Sequence, residues 1–136
     1  MNRFQRVWWV QAKSDHEMFV VCRSNGLPRC HSLHFLQMAT EKLAKAYFWR
    51  SGNPPPKSHS GFVKYLRFLG ATVPGNRDRV SELFSYKRFE DFQQWLRYTL
   101  PIAYDLERLT PDLSNDGPNP EYPWPHSLPE TAPVEH

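Results

Sequence analysis

The fold turns on the run Phe19-Val20-Val21-Cys22-Arg23-Ser24-Asn25-Gly26-Leu27-Pro28-Arg29-Cys30-His31-Ser32-Leu33. Asn25-Gly26 supplies a left-handed helix stop, and Pro28 suits the opening of a following helix, so the run reads as a corner between two helices. Upstream, from Phe4 to about Arg23, Trp8, Ala12, Asp15, Phe19 and Cys22 recur at spacings of four, three, four and three. That period puts them on one helical face. Asp15 lies inside the stripe, and a carboxylate there needs a partner because an unpaired buried charge is costly. Downstream, from about Arg29 to Arg50, Leu33, Leu36, Thr40, Leu43 and Tyr47 form a main stripe. Ala39 and Ala46 beside it are small enough to let a neighbouring helix approach closely. Two antiparallel amphipathic rods are expected.

Working outward, Gly52-Asn53-Pro54-Pro55-Pro56 ends the second helix, since three prolines cannot continue it. A third helix is predicted from Ser58 to Leu69, with Ser58 as N-cap and Phe62, Tyr65, Leu66 and Leu69 inward. A short helix is expected over Arg77 to Ser85. A long last one, about Phe89 to Leu109, carries Phe92, Leu96, Leu100, Ala103 and Leu106, with a kink or break at Pro101 near Thr99–Leu100. No alternating strand pattern of useful length and no internal repeat is present. From Thr110 the character changes: seven of the thirteen prolines lie there, around Glu121-Tyr122-Pro123-Trp124-Pro125. The two aromatics are expected to dock in extended form, and the last ten residues to fray. The fold class is therefore all-α: a four- to five-helix up-and-down bundle over residues 1–109, with a Pro/aromatic acidic tail over 110–136 packed on it or trailing from it.

The chain of 136 residues is one domain's worth, and its 40% hydrophobic content can fill a core. No run of about 18 apolar residues exists, which argues against a membrane span. The polar stretch Gln11 to Glu17 interrupts any signal-peptide core, so a cytoplasmic location is expected. Cys22 and Cys30 flank the corner. A disulfide between them is geometrically conceivable, but reduced thiols are the default in that compartment. The net charge of +3 conceals an asymmetry: residues 1–104 hold 16 Lys and Arg against 7 Asp and Glu, and residues 105–136 hold 1 against 7. A basic body with an acidic tail points either to a polyanionic partner or to a tail folded back on basic surface.

Three pieces, in order, resemble the HEPN family of prokaryotic helical bundles. Trp8-Trp9-Val10-Gln11-Ala12-Lys13-Ser14-Asp15 is similar to the family's opening, a Trp, then Ala four residues on, then Asp three further; His16 departs from the apolar residue usual next. Phe35-Leu36-Gln37-Met38-Ala39-Thr40-Glu41-Lys42-Leu43-Ala44-Lys45-Ala46 resembles its second-helix block. Pro56-Lys57-Ser58-His59, followed by Phe62 and Leu66, looks like the stretch that opens its third helix. The resemblance covers about residues 5 to 70, half the chain. It implies a homodimer and association with a small nucleotidyltransferase, or with nucleotide or RNA.

Gln37, Glu41 and Lys45 fall at i, i+4 and i+8, a polar stripe beside the apolar one. Glu41 and Lys45 can pair along the helix, and Lys42 can reach instead to Asp15. His59 can cap, pair with Glu41, or face a ligand. The bland alternative is a polar network stitching the first three helices. Asp15, Glu41, Lys42, Lys45, Lys57, His59, Lys64 and Arg67 are the candidate ligand-binding residues. Lys57, Lys64 and Arg67, with Arg77, Arg79, Lys87 and Arg88, can track a phosphate backbone if they merge.

Many HEPN proteins are metal-independent RNases, whose site sets an Arg, a polar residue and, after four to six intervening positions, a His. The formal hit is Arg29-Cys30-His31-Ser32-Leu33-His34, displaced to the start of the second helix, whereas the family's motif lies late in the bundle. The catalytic candidates are accordingly Arg29, His34 and His59. His31 and His34 at i, i+3 beside Cys30 lack a fourth ligand, so no metal is expected. With no Gly-rich phosphate loop, no Cys-x-x-Cys and no nucleophile elbow, no cofactor is expected either. The expectation is a non-catalytic binding or partner module; the alternatives are an RNase toxin with a degenerate Arg/His site and a structural assembly protein.

Overall fold

The structure is a computed structural model that describes residues 1–51, 59–110, 114, 118–121 and 132–135. Within them are five α-helices and no strand: α1 (Arg3–Ser24), α2 (Arg29–Phe48), α3 (Gly61–Gly70), α4 (Arg77–Leu83) and α5 (Phe89–Arg108). The all-α bundle expected from periodicity is present. No helix among the described residues is long and apolar enough to cross a membrane.

The α1–α2 corner forms as its residues dictate. Gly26 takes φ +63°, the Leu27 N–H donates to the Cys22 carbonyl at 3.0 Å, and the Gly26 N–H to that of Arg23 at 3.3 Å. Together these bonds close a Schellman stop. At the other end of α1, Asn2 and Gln5 cap reciprocally, each side chain bonding the other's backbone N–H at 2.9 and 3.0 Å. Asn2 Nδ2 also donates to the Trp49 carbonyl at 3.2 Å, and Phe4 stacks on Trp49 at 4.8 Å. The start of α1 thus lies beside the end of α2, an antiparallel hairpin. Ala12, Asp15 and Cys22 are buried and Trp8 and Phe19 half-buried, so the α1 stripe faces inward as read. Cys22 and Cys30 are buried free thiols.

α2 corrects the sequence reading. Its expected stripe, Leu33, Leu36, Thr40, Leu43 and Tyr47, is only half-buried, whereas Cys30, Ser32, Gln37, Ala39, Glu41, Ala44 and Ala46 are buried. No residue from Ser32 to Trp49 is exposed. α2 is a central helix, with α1 along one side and α3 and α5 against the other. A helix covered on several sides needs small and paired polar residues where backbones crowd, and a two-sided pattern no longer marks one inner face.

The apolar core joins α2, α3 and α5 through Ala44, Val63, Tyr65, Leu66, Leu69, Phe92, Leu96 and Ala103. Ala44 and Phe92 have no exposed surface. A Cβ on Gly61 would lie 3.3 Å from that of Ala44, so the missing side chain lets α3 begin close against α2. α3 starts at Gly61 with Ser60 as N-cap residue, later than expected; the proposed cap Ser58 lies outside the described residues. α4 ends at Leu83, before the predicted Ser85, which turns the chain at φ +61°. Phe84 and Tyr86 then pack on Phe92 and Trp95.

α5 runs through Pro101 without the expected break. Pro101 and Arg97 are both exposed, so the carbonyl that Pro101 leaves without a donor can be met by water. Of the tail, Thr110 and Asn119 are buried. Pro133–Glu135 forms a 3-10 turn against α2 rather than fraying. Tyr122 and Trp124 lie outside the described residues.

Gly26 has open space around its would-be Cβ, which isolates its backbone role. Gly26→Ala is expected to lower unfolding free energy by about 1 kcal/mol, the cost of a left-handed conformation for an L side chain. Urea denaturation would measure it, and an unchanged midpoint would contradict the role assigned to the corner.

Candidate functional site

Three buried carboxylates organise the polar interior. On α1, Asp15 accepts from Lys42 Nζ of α2 through Oδ2, and from Gln11 Nε2 through Oδ1 at 3.0 Å. Both oxygens are therefore occupied, and the lysine it was free to choose is Lys42. Asp15 and Lys42 are 10% and 15% exposed at their side chains, so this pair ties α1 to α2 away from bulk water.

Glu41, at the centre of α2, is the second. Lys45 Nζ donates to its Oε1; Gln37 Nε2 donates to its Oε2 at 3.2 Å, and His59 Nδ1 lies 2.8 Å from the same oxygen. Lys45 also sits 5.2 Å from the centroid of Trp8, a cation–π contact that brings α1 into the group. Gln37 Nε2 reaches Thr110 Oγ1 at 2.8 Å, joining the first residue of the tail to α2. Burial pushes the Glu41 carboxyl up, but the hydrogen bonds and charges of Lys45 and His59 together outweigh it and hold it below the ordinary carboxylate range.

Glu107 near the end of α5 is the third, and the sequence reading did not single it out. Its Oε1 accepts the Val63 N–H at 2.9 Å, and the neighbouring Phe62 N–H also favours the charged carboxylate. These are orphan donors of the first turn of α3, so a side chain from a distant helix caps α3. Burial pushes the Glu107 carboxyl up, and the backbone N–H groups of Val63 and Phe62 with the charges of Lys64 and Arg67 offset only part of it. A signal for it existed: Glu107 stands four residues after Ala103 on the inward side of α5, as Asp15 does within the stripe of α1.

Glu41 and Glu107 border one space with Gln37, Thr40, His59 and Phe62, and that space has no room for a water molecule. Asp15 thus pairs with Lys42 across α1 and α2, and Glu41 gathers Lys45 of its own helix and His59 from the segment before α3. Lys64 and Arg67 are exposed on α3. Lys57 lies outside the described residues.

Arg29 and His34 do not form a joint site. Five positions along a helix turn about 140°, and the two side chains go separate ways. Arg29 lines a cavity of about 230 Å³ with Cys30, Leu33, Leu109, Pro118 and Asn119. His34 Nδ1 lies 3.2 Å from Glu121 Oε1, close but misaligned for a hydrogen bond. His59 is held by Glu41 elsewhere. Among the described residues no group of three His, Cys, Asp or Glu is placed to hold a metal ion.

A shallower groove between α3 and α5, of about 330 Å³, is lined by Arg67, Gly70, Ala71, Gln93, Leu96, Arg97 and Leu100. Gln93 Nε2 spans it to the Gly70 carbonyl at 3.4 Å. It places one cation from each helix at a common opening. Comparison with known proteins finds no matching family model, no similar curated protein and no similar solved structure.

The two glutamates should respond oppositely to pH. The folded Glu41 titrates below its unfolded value, so its contribution is complete above that unfolded value and is lost as pH falls through the folded one. Glu41→Gln is expected to cost about 3 kcal/mol near neutrality, since it leaves Lys45 without its carboxylate. That cost should shrink in acid. The folded Glu107 titrates above its unfolded value, so ionising it removes stability as pH rises through that window. Glu107→Gln, which keeps an acceptor for Val63, is expected to be neutral or stabilising at pH 7. Melting curves of both variants from pH 4 to pH 8 check this, and a loss of stability by Glu107→Gln at pH 7 would refute the assignment.

Proposed function

We propose that the chain is a HEPN-like, non-catalytic module that binds a phosphate-bearing ligand, RNA or a nucleotide, through the basic surface of α3 and α5. One observation carries this. Asp15, Glu41 and His59 are engaged with other side chains of the bundle, whereas Lys64 and Arg67 stand exposed at i, i+3 and Arg67 shares a groove with Arg97. Cations presented this way suit phosphate oxygens, with an affinity that falls steeply with salt. The excess of Lys and Arg over residues 1–104 adds long-range attraction for a polyanion. The resemblance further suggests a nucleotidyltransferase partner, which co-purification with a protein encoded beside it would test.

A second reading, a metal-independent RNase, is favoured by the Glu41–His59 contact at 2.8 Å. A carboxylate that orients an imidazole is a common arrangement for general acid–base chemistry. The closed space beside His59 and the separation of Arg29 from His34 weigh against it.

Fluorescence anisotropy with a labelled single-stranded RNA at low salt is expected to show binding, with log Kd rising linearly against log salt. Arg67→Glu with Arg97→Glu, both at exposed positions, should weaken it at least tenfold and flatten the salt slope by about 1 for each phosphate no longer neutralised. RNA should stay intact throughout. Binding indifferent to these substitutions would sink the proposal, and cleavage abolished by His59→Ala would replace it with the RNase.

A further inference from the structure

Between Glu41 and Asp78 the chain carries no acidic residue, yet it holds seven Lys and Arg there. Lys42 and Lys45 are taken up by the buried carboxylates of the interior. Lys64 and Arg67 stand exposed on α3. Arg50 lies in the 3-10 turn Trp49–Ser51 that follows α2, and it is the first exposed residue after the covered run from Ser32 to Trp49.

Two rings hold its guanidinium. It sits 4.1 Å from the centroid of Tyr47 and 4.5 Å from that of Phe68, and the two centroids are 5.7 Å apart. Those distances set the rings on adjacent sides of the cation, near a right angle, rather than on opposite sides. The notch is therefore open outward. Among the described residues no carboxylate pairs with Arg50. Contact with the rings leaves the charge intact and restrains a planar fork of donors, so less freedom is lost when an anion arrives. Beside it, Phe68 leaves 48% of its surface open.

We infer that Arg50 and Phe68 form the subsite for one nucleotide unit, the arginine taking a phosphate and the ring taking a base, so that the RNA bound is single-stranded. This rests on the phosphate-binding reading of α3 and α5 and names the class of strand it takes. Phe68 stands four residues after Lys64 and next to Arg67. Arg50 thus continues the cations of α3 toward α2, as Arg97 continues them toward α5. The two arginines flank α3 on different sides, separated by the width of a helix with its side chains, about 10 Å. A mononucleotide carries its phosphates in one cluster and reaches one flank. A strand carries them in a row and meets both. A duplex also offers a row, but its bases are stacked on one another and give Phe68 nothing to hold. Unpaired bases stack on exposed aromatic rings and on guanidinium planes, and both surfaces meet in this notch.

Fluorescence anisotropy on the full chain, with a labelled RNA of about 12 nucleotides, compares that strand with its duplex and with an abasic strand of equal phosphate number. The intact single strand is expected to bind more tightly than either. Phe68→Leu should weaken it about fivefold or more, the scale of one lost base stack, and leave the duplex and the abasic strand unchanged. Arg50→Ala should weaken intact and abasic strands alike and reduce the salt slope by one phosphate's share. Arg50→Lys, which keeps the charge without the planar fork, should restore the slope but not the full affinity. Circular dichroism checks that the variants stay helical, and the wild-type preference for intact over abasic strand needs no variant. Binding that requires Arg67 and Arg97 but treats the three RNAs alike, or ignores Phe68→Leu, would overturn the subsite and leave the basic surface standing. Adenosine monophosphate competing as well as the strand at equal phosphate would overturn it in favour of a nucleotide. RNA that fails to bind at all would remove both readings.

Discussion

A carboxylate inside a helical interface persists only if donors surround it, and Glu41 is the point at which this structure meets that condition. Its donors come from its own helix, through Gln37 and Lys45, and from the segment leading into α3, through His59. Lys45 extends the group to Trp8 of α1, and Gln37 extends it to Thr110 beyond α5. Four parts of the chain thus meet around one charge. Asp15 and Glu107 repeat the device at its margins, the first fixing α1 on α2, the second fixing the start of α3 on α5.

This arrangement explains why α2 has so little conventional core on it. The densest apolar packing lies among α3, α5 and one side of α2, around Leu66, Phe92 and Leu96. α1 is joined to α2 through small residues and polar pairs instead. Small side chains let backbones approach, and pairs specify one geometry where an apolar contact would tolerate several.

The proposed HEPN-like reading draws on residues that make these connections: Trp8 and Asp15 on α1, Gln37, Glu41, Lys42 and Lys45 on α2, and His59 before α3. Their convergence gives the motif a structural reason independent of any reaction. Residues engaged in packing carry no information about a ligand. The proposed binding surface therefore lies away from it, on exposed cations of α3 and α5 that no short motif would flag.

Much of the fold was legible in the residues. The Asn25-Gly26 corner, the inward stripe of α1 and the demand of Asp15 for a partner all follow from local rules, because backbone conformation and side-chain direction repeat with the helix period. Periodicity gives the direction of a side chain but does not name the neighbour it meets. Hence the inner face of α2 was misread, because a helix enclosed on several sides has no single face to mark. The continuity of α5 through Pro101 depended on that proline falling toward solvent. Only the tertiary structure assigned Lys42 to Asp15, set His59 beside Glu41, separated Arg29 from His34, and carried Glu107 to the first turn of α3. Each of these choices is made by helices packing at a distance in sequence, where the free energy of satisfying a buried charge selects among partners that local spacing leaves equivalent.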